Sequence, residues 1–408
     1  VRQDTPEVIR VIIVGNYPDL LQSMRRYAEL LESTLLEAKM SVHRIAPKPV
    51  FGRLARHWDR GMGKWLGYLD KYLVFPIQLR RVVGKEKRQH RRLLVHIADH
   101  GNAMYALHLQ NLPVVVTCHD CMNLQRALGK TSGEQLSFTG RLLQRWILHG
   151  LRKATRVIAV SGQTASDLGE LTGQPAKIFP VIYPALNRTF QNLSPSAAIT
   201  AIADFSPELI PAVEERRLLT HIGSNAWYKN RYGLLYLFRA LRDKMPERNW
   251  HLALAGAEPT PELTDLAAML GLSEYLTVLI KPSDPQVEAL YHATTLFLFP
   301  SRKEGFGWPI IEAQTCGCLV AASDVEPMRE VMSGAGIQLP PPDAFPSVEQ
   351  WASAAAEVVS TRFRAGDAAL EQLREAGRLN PQRFTASEMG VRLRAVYEAV
   401  LEDVSANT

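Results

Sequence analysis

The stretch Phe297-Leu-Phe-Pro-Ser-Arg-Lys-Glu304-Gly-Phe-Gly-Trp-Pro-Ile-Ile-Glu312-Ala-Gln-Thr-Cys-Gly317 reads as a strand, a loop and a helix in immediate succession. Its opening apolar run ends at Pro300, which cannot donate to a strand ladder. Gly305 and Gly307 give the loop carrying Glu304 its freedom, and Pro309 suits the first turn of the helix that carries Glu312. Two carboxylates are thereby expected at one end of a buried strand, one on a loop and one on a helix. The backbone NH groups around Phe306, Gly307 and Trp308 fall at the positive end of that helix.

The same rhythm extends in both directions. Strand-like runs occur at 8–14, 42–46, 93–98, 114–118, 156–160 and 178–182, then at 218–222, 252–255, 276–279, 296–299 and 319–322. Their continuous apolar character predicts strands covered on both faces of a parallel sheet. Leu20, Met24, Tyr27, Leu31 and Leu35 recur at helical spacing between the first two, as a βαβ series requires. The rhythm breaks at Pro184–Glu215, where Pro195, Pro207 and Pro211 stand among small and polar residues. The expected organisation is therefore an α/β domain over 1–190, a connection over 191–215, a second α/β domain over 216–380, and a final segment over 381–408. In that segment Met389, Leu393, Val396, Val400 and Val404 form a stripe suited to packing back on the first domain. Ligands of such folds bind in the crevice beyond the carboxyl ends of the strands, so the chemistry is sought there.

Composition excludes several classes. With 408 residues, 46% hydrophobic and 22% charged, the chain is globular rather than disordered or fibrous. Four cysteines, Cys118, Cys121, Cys316 and Cys318, are too few for a disulfide scaffold, which makes the cytoplasm the expected compartment. The opening residues lack a cationic segment followed by a long apolar one, so no export signal is expected. The net charge of +6 is concentrated: residues 51–92 carry twelve Lys/Arg against three acids, leaving the remainder slightly acidic. Any anionic partner should meet that region.

On its motifs the sequence resembles the retaining GT-B glycosyltransferases of family 4, which use nucleotide-sugar donors. The segment Glu304-Gly-Phe-Gly-Trp-Pro-Ile-Ile-Glu312-Ala is similar to their paired-glutamate signature. His221-Ile-Gly223-Ser224-Asn-Ala-Trp-Tyr-Lys229-Asn230 looks like their glycine loop leading into Lys-Asn at a helix start. Thr117-Cys-His119-Asp120 is similar to their T-x-H-D segment. The resemblance implies a GT-B fold, two Rossmann-like doubly wound domains facing a central cleft.

It also implies roles. His119, Glu304 and Lys229 are the catalytic candidates, with His119 beside the transferred sugar. Gly223, Ser224, Lys229, Asn230, Glu304, Gly305, Phe306, Gly307, Trp308 and Glu312 are implied on the donor side, and Ile280 and Lys281 at the nucleobase. Gly15, Gln22, Ser23 and Asp120 are implied on the acceptor side. Many relatives carry an arginine directly after the glycine where this chain has Ser224, so Lys229 is the principal cation for the diphosphate. No Asp-x-Asp occurs, and neither a metal nor another cofactor is expected.

The resulting expectation is a hexosyltransferase, glucosyl or mannosyl, taking a UDP- or GDP-sugar to a hydroxyl of a glycan, lipid-linked or small-molecule acceptor. A nucleotide-sugar 2-epimerase of the same fold is the alternative. A basic nucleic-acid-binding protein is a remoter one, and no recognition module for it is visible. The basic stretch 51–92 also holds Trp58, Trp65, Tyr68, Tyr72 and Phe75. It suits either peripheral docking on the anionic inner face of a membrane or a crossover helix with aromatic core contacts and a solvated basic face.

Overall fold

A computed structural model describes residues 8–17, 22–54, 61–109, 112–130 and 136–406. The chain divides into two units, one running to Asn187 and resuming at Phe384, the other spanning Arg188–Arg383.

In the first unit, five short apolar runs pair as an all-parallel sheet. They are β1 (Arg10–Val14), β2 (Ser41–Ile45), β3 (Leu93–Ile97), β4 (Val114–Cys118) and β5 (Arg156–Ala159), in spatial order β2-β1-β3-β4-β5. Every residue of β3 and β4 is buried, which is why their sequences do not alternate. The helix Gln22–Glu37 crosses from β1 to β2 and buries Tyr27, Leu31 and Leu35. Another helix, Phe138–Lys153, approaches the 3-10 stretch His100–His108 so closely that a Cβ on Gly150 would lie 2.3 Å from the Ala103 carbonyl oxygen. The run at 178–182 makes only a single bridge, Val181 opposite Ala159. Pro180 lacks an NH donor, and the neighbouring residues 176–178 form a 3-10 turn instead.

The final helix, Ala386–Ala406, packs in this first unit. Its buried side chains are Met389, Leu393, Tyr397, Val400 and Leu401, so Tyr397 takes the deep position expected of Val396. Its hydroxyl bonds Nδ1 of His96 in β3.

The second unit holds β6 (Leu218–Gly223), β7 (His251–Gly256), β8 (Leu276–Ile280), β9 (Leu296–Phe299), β10 (Val320–Ser323) and β11 (Ile337–Leu339), all parallel in the order β11-β10-β9-β6-β7-β8. β11, three residues long, is too short to read in the sequence.

The stretch 191–215 is not a bare connection. It forms helices Pro195–Phe205 and Ile210–Glu214 joined by a 3-10 turn at Pro207–Leu209, and Ile202, Leu209 and Ala212 pack with Ala253, Ala255, Ala289 and Leu290. Pro195 and Pro211 occupy first helical turns, where the missing NH costs nothing. In the sequence alone they read as breakers. Among the described residues, no helix is long and apolar enough to cross a membrane.

Candidate functional site

Two polar clusters form, one at the strand ends of each unit. In the second unit, β6 runs into a loop ending in the 3-10 turn Trp227–Lys229, and Asn230 follows with left-handed backbone at φ 55°. Its side chain caps the helix Arg231–Lys244 by accepting from the Gly233 NH at 3.3 Å, and its amide donates to the Pro300 carbonyl at 3.1 Å. The Arg302 NH donates to the Tyr228 carbonyl at 2.7 Å. These bonds staple the loops after β6 and β9 together.

The result is a meeting of Lys229 and Glu304, 75 positions apart, with Nζ donating to Oε1 at 2.7 Å. Both side chains are largely buried, and the ammonium lies 5.1 Å from the centre of the Phe299 ring. Gly307 adopts φ 108° to turn the chain into the helix Trp308–Thr315, a conformation that favours glycine. Gly305, Phe306 and Trp308 line that turn. Glu312, buried one helical turn further on, accepts from the Tyr291 hydroxyl at 3.1 Å. Burial, the first cause, and the charge of Glu312 push the Tyr291 hydroxyl well above its usual range, so it stays a proton donor.

Gly223 has its own constraint: a Cβ there would sit 2.9 Å from Nε2 of His221 and 3.7 Å from Cδ of Lys229. Ser224 is exposed. Arg231 turns inward, and its guanidinium donates to the carbonyls of Gly223, Ala255 and Ala257 and to Oδ1 of Asn225 at 2.7–2.9 Å. It braces the ends of β6 and β7 and does not join the Lys229–Glu304 pair. Ile280 and Lys281 are exposed at the end of β8, where the Lys281 NH donates to the Gly256 carbonyl at 2.7 Å.

In the first unit, His119 follows β4 and is buried. Its Nε2 pairs with the Ala98 carbonyl at 2.8 Å, so that nitrogen carries the proton. Burial lowers its pKa, with Asp99 and the Ala98 carbonyl opposing, and the ring is neutral with Nδ1 as an acceptor. The Tyr27 ring meets it edge-on at 4.4 Å. Asp120 accepts the Met122 NH at 2.9 Å and so starts the following helix. Gly15 directly follows β1, its NH bonded to the Ile45 carbonyl, and Ser23 is exposed in the first turn of the helix Gln22–Glu37. Of the acceptor-side candidates, the Gln22 side chain lies outside the described residues.

Four residues absent from the sequence reading join this cluster. Asp99 accepts from the Asn16 amide at 2.6 Å and the Gly101 NH at 2.8 Å, and Asn102 donates to Asn16 at 2.9 Å. His100 accepts from the His119 NH at 3.3 Å. The signal is present in the sequence: Asp99-His100-Gly101-Asn102 begins one residue past the end of β3, much as His119 follows β4.

The comparisons with known proteins agree with this division. Residues 24–190 match the Glycosyltransferase Family 4 model, and residues 216–361 match Glycosyl transferases group 1, covering most of the chain between them. The chain is 28% identical over 263 residues to a D-inositol 3-phosphate glycosyltransferase of Thermobispora bispora, covering 62% of this chain and 57% of that relative. It is 27% identical over 213 residues to O-antigen chain mannosyltransferase B of Escherichia coli, covering 50% and 52%. The matched part thus spans little more than half the length of these curated relatives. Among solved structures, Anabaena Alr3699/HepE in complex with UDP and glucose superposes with TM-score 0.65 at 18% identity, covering 96% of this chain and 99% of that one. Sucrose-phosphate synthase from Thermosynechococcus elongatus gives 0.69 at 18%, covering 97% and 100%. At such identities the likeness is one of fold, the two Rossmann-like domains of the GT-B class.

Proposed function

Since the chain belongs to the glycosyltransferases that join a family 4 domain to a group 1 domain, we propose that it transfers a hexosyl group, glucosyl or mannosyl, from a UDP- or GDP-sugar to an acceptor hydroxyl. The acceptor is a glycan, a lipid-linked glycan or a small molecule, and the anomeric configuration is retained. The observation that carries this reading is the buried pairing of Lys229 with Glu304.

A diphosphate arriving beside Lys229 offers the ammonium a stronger partner than one carboxylate. Lys229 then stabilises the charge that grows on the departing diphosphate, helped by the NH groups of the turn at Gly305–Trp308. Glu304, released, accepts hydrogen bonds from the sugar hydroxyls and favours positive charge at the anomeric carbon. Glu312, oriented by Tyr291, is the ribose ligand. Asn230 and Gly223 hold the lysine loop, Ser224 lies at its exposed edge, and Ile280 and Lys281 flank the base. His119 accepts a sugar hydroxyl at Nδ1, while Asp120, Gly15, Gln22 and Ser23 serve the acceptor side.

In the reaction, the bond from the anomeric carbon to the phosphate oxygen breaks and a bond to the acceptor oxygen forms on the same face. The acceptor proton passes to the departing phosphate oxygen, giving a glycoside and a nucleoside diphosphate. Charge neutralisation by Lys229 makes a metal unnecessary in this scheme, and the reaction is assigned to the cytoplasm, which the four free cysteines suit.

A thermal-shift screen over nucleoside diphosphates tests the donor. UDP or GDP at 100 times its dissociation constant should stabilise the chain by about 2.7 kcal/mol. Incubation with donor sugar alone separates the epimerase: an epimer formed without acceptor overturns transfer.

A further inference from the structure

Residues 61–89 form one continuous helical stretch, α-helical at Gly61–Leu69 and Phe75–Gln89 with a π-helical turn at Asp70–Val74 between them. One side of it is core: Phe75, Leu79 and Val83 are buried, and Tyr72 packs on Trp146 with ring centres 5.2 Å apart. The other side is neither core nor polar. Trp65, Leu69, Leu73 and Ile77, spaced four apart, form an apolar ridge along the exposed face, with Trp65 62% and Leu73 61% accessible. Where the ridge ends, exposed Arg80, Arg81, Lys85, Lys87 and Arg88 take over.

A second helix repeats the pattern. Phe138 and Leu142, eight and four residues before Trp146, are exposed beside exposed Arg141 and Arg145. Contact between Trp146 and Tyr72 makes the two helices neighbours. Isolated exposed apolar residues are ordinary, but a ridge of four continued by cations and echoed on a neighbouring helix is not.

The ridge is also tied to the candidate acceptor loop. Asp70, buried in the π-turn, accepts from the NH groups of Val50, Phe51 and Gly52 at 2.9–3.0 Å and from the Tyr17 hydroxyl at 3.2 Å. Tyr17 stands next to Asn16, which is bonded to Asp99.

We propose that the ridge Trp65–Ile77, with Phe138 and Leu142, inserts into the interfacial layer of an anionic lipid bilayer while the following cations hold its headgroups. The acceptor then comes from that bilayer as a lipid-linked molecule, presented at the strand ends that Tyr17 and Asp70 connect to the ridge. This second clause rests on the transferase reading, whereas the docking face does not.

Flotation tests it with vesicles of phosphatidylcholine and phosphatidylglycerol in equal parts, against pure phosphatidylcholine, at physiological salt. The chain should float with the anionic vesicles at least tenfold more than with the neutral ones. Leu73→Ser with Ile77→Ser, and separately Arg81→Glu with Lys85→Glu, should each reduce flotation at least fivefold. Both variants must retain the parent thermal midpoint and its nucleoside-diphosphate binding, which reports on a cluster in the other unit. No flotation, or flotation that persists in the serine variant, overturns the docking face. Labelled sugar entering the organic phase when a total polar-lipid extract serves as acceptor supports lipid-linked transfer, and label only in water-soluble product overturns it. Failure of the parent to bind any nucleoside diphosphate removes the transferase reading and leaves the flotation result to stand by itself.

Discussion

Lys229 Nζ lies 2.7 Å from Glu304 Oε1, so the principal cation and the principal anion of the candidate donor site are paired with one another. In the proposed reaction a nucleotide sugar separates them, and the two partners should therefore respond differently to substitution. Glu304→Gln relieves competition for Lys229, so affinity for UDP or GDP should rise severalfold in titration calorimetry while turnover falls by about 100-fold or more. Lys229→Met should weaken the same nucleotide by about tenfold or more, the worth of a charged hydrogen bond. Glu304→Gln binding nucleotide more weakly than the parent would contradict the competition.

Stability should fall in acid before most carboxylates titrate. Burial pushes His96 and His221 each down to about 3, whereas in the unfolded chain they titrate near about 6.5. Below that value the unfolded state takes up protons that the folded state refuses. Each histidine then costs about 1.4 kcal/mol per pH unit until its folded value is reached. Glu86, held at about 2 mainly by its bonds to Arg10, adds a loss as the pH falls from 4.5 toward 2. Urea midpoints measured from pH 7 to 5 should decline steadily, and a flat profile would refute neutral burial of the imidazoles.

Tyr397→Phe removes the hydroxyl that meets His96 Nδ1, and that ring is held on its other side by Thr117, 2.8 Å from Nε2. A buried nitrogen left without its partner costs about 1–3 kcal/mol. Thr117 also bonds the Tyr27 hydroxyl at 3.1 Å, and the Tyr27 ring rests on His119. Turnover should therefore drop in this variant with little change in nucleotide affinity, since the donor cluster lies in the other unit.

Gly150→Ala would place a methyl 2.3 Å from the Ala103 carbonyl oxygen. The helix Phe138–Lys153 must retreat from the 3-10 stretch, and the loss should reach about 3 kcal/mol in denaturant unfolding. An unchanged midpoint would show that these elements pack more loosely than described.

The legible and illegible parts of the chain differ for physical reasons. Both sheets were readable because β3, β4 and β9 are buried on both faces, which leaves unbroken apolar runs. The segment 191–215 reads as a connection because a proline in a first helical turn looks identical in sequence to one that stops a helix. Glu304, Glu312, His119 and Lys229 stood out by motif. That Lys229 and Glu304 touch did not, because the contact depends on Asn230 reaching the Pro300 carbonyl. Asp99 and His100 carry the same signal after β3 as His119 does after β4, polar side chains close to the carboxyl end of a buried strand.

The return of the helix Ala386–Ala406 to the first unit has a consequence during synthesis. On the ribosome, the sheet β1–β5 emerges early, but the helix carrying Tyr397 follows only after the whole second unit has been made. The second unit can mature while its elder neighbour still lacks a wall. A chain released from the ribosome after Arg383 should thus resist protease over residues 188–383 and be cut in the earlier ones, the reverse of the order in which they leave the exit tunnel.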